Sequence, residues 1–221
     1  WLDCTMDRIA WADIPGLCYL DANGLYRDNG IARVLNFAGL VAPEKSIFFN
    51  WSKPFVQLET TRGCFNTCAF CVSGGEKPVR ILPLSDIRER LELIRSHGIK
   101  NVRVLDRTFN YNPQRAKDLL QLFLEFHSDI RFHLEMHPAL LTDALKEELS
   151  RMPEGLLHLE AGIQSLREPV LEKSMRKGKL ADALDGLRFL CALPNMETHA
   201  DLIAGLPLYH LEEIFEDVQT L

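Results

Sequence analysis

The sequence predicts an α/β fold on parallel strands, an α/β barrel left incomplete after about five strand–helix units. Two observations predict it. From residue 55 onward short apolar runs alternate with amphipathic helical stripes, and that alternation recurs five times. Serial strand–helix units require crossover connections, which are right-handed and leave the strands parallel. Ligands of such a fold gather at the C-terminal ends of its strands.

Phe55-Val56-Gln57-Leu58-Glu59 opens the series as a strand. Leu84, Ile87, Leu91 and Ile94 then form one helical stripe, with Ser85 as the expected N-cap and Gly98 as the stop. Val102-Arg103-Val104-Leu105 is the second strand. Asn112-Pro113 supplies a cap and a proline at the first helical position, ahead of the buried face Ala116, Leu119, Leu120, Phe123 and Leu124. Residues 130–134 are the third strand, followed by a helix marked by Leu141, Ala144, Leu145 and Leu149. Residues 156–161 are the fourth, followed by helical sequence around Val170-Leu171 and Leu184, Leu187 and Leu190. Residues 198–204 are the fifth, and Leu211, Ile214, Phe215 and Val218 mark the last helix. Residues 1–50 differ: Gly16, Gly24, Gly30 and Gly39, with Asp21, Asn23, Asp28 and Asn29, break them into turns, as in a linker or the end of a preceding domain.

A chain of 221 residues can bury one substantial core, and 47% hydrophobic with 25% charged residues is ordinary for a globular domain. The net charge of −6 indicates neither nucleic acid nor an anionic membrane as partner. No apolar run approaches the about 20 residues that cross a bilayer. The opening from Trp1 lacks the basic start and apolar block of a signal peptide, and the missing initiator Met suggests a fragment or processed piece. Of six cysteines, three fall within eight residues while Cys4, Cys18 and Cys191 are scattered. Clustered cysteines without an export signal read as metal ligands in a reducing compartment, which predicts a cytoplasmic protein.

The clustered three lie in Thr61-Arg62-Gly63-Cys64-Phe65-Asn66-Thr67-Cys68-Ala69-Phe70-Cys71. Structural zinc wants four ligands in two pairs, which this spacing does not supply. Three thiolates on one loop leave a cubane iron–sulfur cluster with one iron unclaimed by protein, where a chelating cofactor can bind. The plainer readings are zinc completed by a distant histidine, or three incidental buried cysteines.

This loop resembles the signature of the radical S-adenosylmethionine (SAM) superfamily, in which CxxxC is followed by a cysteine preceded by an aromatic. The resemblance covers about residues 55–221 and implies a partial (β/α)6 radical SAM barrel over 51–221, C-terminally truncated, with a four-iron four-sulfur cluster on Cys64, Cys68 and Cys71. It also implies SAM as cofactor, reductive cleavage to a 5′-deoxyadenosyl radical, and a reducing partner such as flavodoxin or ferredoxin. Phe70 beside Cys71 would contact the cofactor. Where relatives carry an amine-binding turn after the second strand, this chain offers Asp106 and Thr108, and Gly74-Gly75-Glu76 is set aside because it follows the cluster loop instead. Glu135 matches a ribose-binding acid, Gln164 a Gly-x-Gln-Ser/Thr stretch, Arg176 a helix arginine that meets the methionine carboxylate, and Asp201 an Asp-Leu-Ile-x-Gly-Leu-Pro motif.

Ala12-Asp13-Ile14-Pro15-Gly16-Leu17-Cys18-Tyr19 resembles the segment that closes a cobalamin-binding domain before the barrel. That implies residues 1–50 are the end of an upstream cobalamin-binding domain plus linker, and a methyltransferase-like enzyme of unknown substrate. Cobalamin would be held through a domain not present in this chain. The competing expectations are a cobalamin-independent oxidase of the coproporphyrinogen type and a non-catalytic iron–sulfur electron carrier. His127, His133 and His137 are expected on the surface or in packing, Cys191 in the core, and Arg80, Arg88, Arg90 and Arg95 on a solvated helix face.

Overall fold

The computed structural model describes residues 10–32, 37 and 40–221. The opening stretch with Trp1 and Cys4 lies outside them. Chain contacts divide the protein into two units, with the boundary between residues 39 and 40.

In the first unit, β1 (Cys18–Leu20) pairs antiparallel with β2 (Tyr26–Asp28). Asp21 Oδ1 closes the turn between them by accepting from Asn23 N and Leu25 N at 2.9 and 3.0 Å. Asn29 ties the hairpin to the preceding 3-10 turn by donating to Trp11 O and Ile14 O.

The second unit is built on an open sheet of five parallel strands in sequence order: β3 (Val56–Leu58), β6 (Asn101–Val104), β7 (Arg131–Met136), β8 (Leu157–Gln164) and β9 (Glu197–Leu202). The expected series of strand–helix units is present. Between β3 and β6 the chain adds a small antiparallel pair, β4 (Thr61–Arg62) and β5 (Arg80–Ile81), which brackets the cysteine loop. Six helices follow in order: α1 (Leu84–Ser96), α2 (Pro113–Leu124), α3 (Asp143–Ser150), α4 (Glu168–Lys173), α5 (Leu180–Cys191) and α6 (Leu211–Thr220).

Along β7 and β8 every second residue is buried, so Phe132, Leu134, Leu157, Leu159 and Ala161 point to the helices. They meet Leu91, Leu119, Leu120, Phe123, Leu145 and Leu149 in one core, where Phe123 and Phe132 stack with centroids 4.0 Å apart. The alternate residues form the other, polar face of the sheet. Asn112 caps α2 as expected, accepting from Arg115 N at 3.1 Å.

Four local expectations are corrected. Ser85 lies inside the first turn of α1, and Pro83 holds the cap position with no side-chain bond. Arg90 belongs to the buried stripe of α1, one helical step from Ile87, Leu91 and Ile94, and donates through Nε and Nη2 to Glu44 at 2.9 and 2.7 Å. Arg80 is buried in β5, paired with Glu76, while Arg88 is exposed on Glu125 as foreseen. Cys191, the last residue of α5, is exposed rather than core.

Candidate active site

The cysteine loop leaves β4 and returns to β5 at the C-terminal edge of the sheet, with Cys64 and Cys68 buried and Cys71 half-buried. Backbone bonds shape it: Cys64 N donates to Glu76 O, Gly75 N to Asn66 O, and Ala69 N to Ser174 O just beyond α4. Asn66 Oδ1 accepts from Thr67 N and from Lys177 N at 3.0 and 3.1 Å, pinning the loop to the turn after α4. At Gly74 a Cβ would stand 2.6 Å from Cys68 O and 3.0 Å from Cys71 O, so only glycine lets the loop fold back on its own cysteines.

Two donors and one cation stand around the sulfurs. Asn66 N donates to Cys64 Sγ at 3.4 Å, and Thr108 Oγ1 lies 3.9 Å from the same sulfur. Arg176 Nη1 is 4.0 Å from Cys68 Sγ, and its Nη2 donates to Gly162 O. Burial pushes the Cys68 thiol up and the neighbouring Cys64 and Cys71 push the same way, while the Arg176 guanidinium pulls it down. Three thiolates on one loop beside a guanidinium and an N–H donor fit a cubane cluster bound by three cysteines.

Arg176 is reached by an unusual turn. Met175 has φ 54°, and Arg176 N bonds back to Leu171 O at 3.0 Å, the Schellman ending of a helix. The arginine therefore sits past α4 rather than on it, and this turn aims it at the loop. Gln164 ends β8 at φ 74°, after a register irregularity with β9 between Gly162 and Gln164.

The other expected contacts separate into groups. Phe70 is 36% exposed beside Cys71. Glu135 lies on the polar face of β7, its carboxyl pushed up by burial and by Glu160 against the pull of Arg107. Asp201 lies on β9 against Glu160 and is pushed up to about 6 by burial and by that neighbour. Asp106 already has partners within the protein. It is fully buried, its Oδ1 accepts from Thr60 N and Thr61 N at 2.8 Å each, and its Oδ2 accepts from Thr60 Oγ1. That carboxylate is spent on tying the β6 end to the β3 end, which leaves Thr108 as the polar group of this turn near the loop.

His137 is buried, with Nε2 donating to Lys177 O and no partner for Nδ1 among the described residues. His133 is not packing alone. It meets Glu160 at 2.9 Å on the polar face, near His158 and His199. Sequence reading missed this group because its members sit on three strands. The signal was present as a repeated His-x-acid triplet: His133-Leu134-Glu135, His158-Leu159-Glu160 and His199-Ala200-Asp201.

A family model described as the radical SAM superfamily matches residues 58–221. The chain belongs to the radical SAM superfamily. Members of this family bind a four-iron four-sulfur cluster and SAM and are enzymes. A tRNA-2-methylthio-N(6)-dimethylallyladenosine synthase of Chloroflexus aurantiacus is 30% identical over 174 residues, 72% of this chain and 36% of that protein. Among solved structures, the cobalamin-dependent radical SAM enzyme OxsB matches 94% of this chain and 32% of its own with TM-score 0.71 at 19% identity. The radical SAM methyltransferase TsrM from Kitasatospora setae matches 75% of this chain and 33% of its own with TM-score 0.63, also at 19% identity. These two likenesses establish a shared fold. The chain spans about a third of the length of each of these three proteins. Among the described residues of this radical SAM chain, no helix is long and apolar enough to cross a membrane.

Proposed function

We propose that this chain is the SAM-cleaving part of a cobalamin-associated radical enzyme, methyltransferase-like and of unknown substrate. The observation that carries the radical part is the loop itself: Cys64, Cys68 and Cys71 gathered at the C-terminal sheet edge with Arg176 against Cys68. The cobalamin association is supported by the Ile14-Pro15-Gly16-Leu17 segment, which enters β1, and by the extent of the OxsB likeness through the first unit. Cobalamin itself would be held by a domain outside this chain, with residues 1–50 as the end of that domain and a linker.

A cluster held by Cys64, Cys68 and Cys71 would supply the one electron that breaks a carbon–sulfur bond of SAM, leaving methionine and a 5′-deoxyadenosyl radical. The chain's own residues then have separate tasks. Cys64, Cys68 and Cys71 hold iron as thiolates. Arg176 offsets their charge, and Gln164, Glu135 and Thr108 line the route from the loop down the polar sheet face, where SAM would lie. Phe70 and the fully exposed Val72 leave the outer side of the loop open to a small reducing protein such as flavodoxin or ferredoxin. The three clustered cysteines, spaced as metal ligands, are the basis for placing the protein in a reducing cytoplasm.

A second reading, transfer of a methylthio group, is favoured by the Chloroflexus relative.

The test is anaerobic reconstitution with iron and sulfide, then dithionite reduction with SAM and assay for 5′-deoxyadenosine. Product that disappears in Cys68→Ala supports the radical reading. A cluster without product would reduce the chain to an electron carrier, and stoichiometric zinc without iron would overturn the reading.

A further inference from the structure

The polar face of the sheet carries a second set of ligand-type side chains, on residues other than the cysteines. Three successive strands each present a histidine and an acid two residues apart: His133 and Glu135 on β7, His158 and Glu160 on β8, His199 and Asp201 on β9. A strand repeats every two residues, so each pair shares one face. Parallel register then aligns His133 with His158, Glu135 with Glu160, and Glu160 with His199.

The side chains converge. His158 Nε2 lies 2.8 Å from His199 Nδ1, and His133 Nε2 lies 2.9 Å from Glu160 Oε2. His199 Nε2 is 3.7 Å from that same Glu160 oxygen and 4.0 Å from Asp201 Oδ1. One ligand atom each from Glu160, His199 and Asp201 lies within 4.8 Å of the other two. Beside them a cavity of about 530 Å³ is lined by Phe55, Arg131, His133, His158, Glu160 and His199, among others.

We propose that Glu160, His199 and Asp201, the last serving here in place of the SAM contact that its motif implies, form a binding site for a divalent transition-metal ion, separate from the iron–sulfur site and bordering this cavity. Among the described residues the recorded ion-pair partners of Glu160 and Asp201 are the imidazoles of His133 and His199, with no lysine or arginine among them. Two adjacent carboxylates and an imidazole lone pair are all acceptors, and a cation is what such a set lacks. His199 is oriented for the task. With its Nδ1–H given to His158 Nε2, its Nε2 presents a bare lone pair toward both acids, the outer support usual for a metal-bound histidine. Ligands about 2.1 Å from a common ion at tetrahedral angles lie roughly 3.4 Å apart. The observed 3.7 and 4.0 Å are about 0.3 and 0.6 Å longer than that. One imidazole with two carboxylates suits a borderline ion such as zinc, iron(II) or manganese(II) and leaves coordination positions open. Those positions would take water or an anionic group of a molecule in the cavity.

The test loads the protein with its iron–sulfur cluster, so that the thiolates are occupied, and titrates zinc by anaerobic equilibrium dialysis. One equivalent of zinc is expected, with only nitrogen and oxygen neighbours in the zinc-edge X-ray absorption spectrum. His199→Ala and the shape-preserving Glu160→Gln should each weaken it at least tenfold, with iron content and circular dichroism unchanged. Absence of saturable zinc would overturn the proposal and leave a histidine–carboxylate proton network. Zinc with sulfur neighbours, or zinc indifferent to both substitutions, would overturn it equally.

Discussion

Arg176 and Cys68 are 108 residues apart, yet the guanidinium stands 4.0 Å from the sulfur. Among the described residues no carboxylate pairs with it, and the charges that act on it are those of Cys68, Cys64 and Cys71. A cation near the cluster favours the reduced, more negative state. Arg176→Gln should therefore lower the potential of the bound cluster, by roughly 100 mV at most for a unit charge some 7 Å away at an effective dielectric near 20. Arg176→Lys should restore most of it. Potentiometry followed by electron paramagnetic resonance reads the shift, and an unchanged midpoint would show the charge to be compensated elsewhere.

At Gly74 the methyl of an alanine would meet backbone carbonyls on both Cys68 and Cys71, which cannot yield without reshaping the loop. Gly74→Ala should lower the iron retained after reconstitution several-fold. The unfolding free energy of the iron-free protein should change by less than about 1 kcal/mol, since the core is untouched. Iron analysis beside urea denaturation separates a loop effect from a fold effect.

Glu44 and Arg90 form a buried ion pair, 0% and 8% exposed at their side chains. Removing one partner strands the other charge in the core margin. Glu44→Gln or Arg90→Met alone should each cost about 3–5 kcal/mol, and the double variant should recover much of that loss. Additive losses in denaturant unfolding would mean that the two do not act as a pair.

His137 carries a pH dependence. Burial first, and the Arg176 charge second, hold its imidazole down at about 4 against an ordinary 6.5. Between those values the unfolded chain binds the extra proton and the native chain does not. Stability is thus fully present above about 6.5 and is lost as the pH falls through 4, by about 3 kcal/mol from this group. His137→Gln should flatten the urea midpoint between pH 7 and 4 relative to the parent chain. Equal slopes in the two proteins would contradict the assignment.

Much of the fold was legible because its signals are short. Alternation at period two marked β7 and β8, and the 3.6-residue stripe of Leu84, Ile87, Leu91 and Ile94 marked α1. The errors share a cause. Arg90 lies on that same stripe but carries a charge, and its burial depends on Glu44, 46 residues earlier. Asp106 follows a strand as a ligand would, but its carboxylate turns inward because Thr60 and Thr61 offer three donors there. Leu211 and Phe215 sit at helical spacing in α6, and both are 62% exposed.

By itself the sequence determined the order of strands and helices and the cysteine spacing that makes the loop a candidate for iron and sulfide. Each of these is set by residues within a few positions of one another. The tertiary structure alone decided which polar groups meet: Arg176 with Cys68, Asp106 with Thr60, and the three His-x-acid pairs with one another. Those partners are tens to a hundred residues apart. Only the parallel register of the sheet and the turn after α4 bring them within bonding distance, and neither is written in any single local stretch.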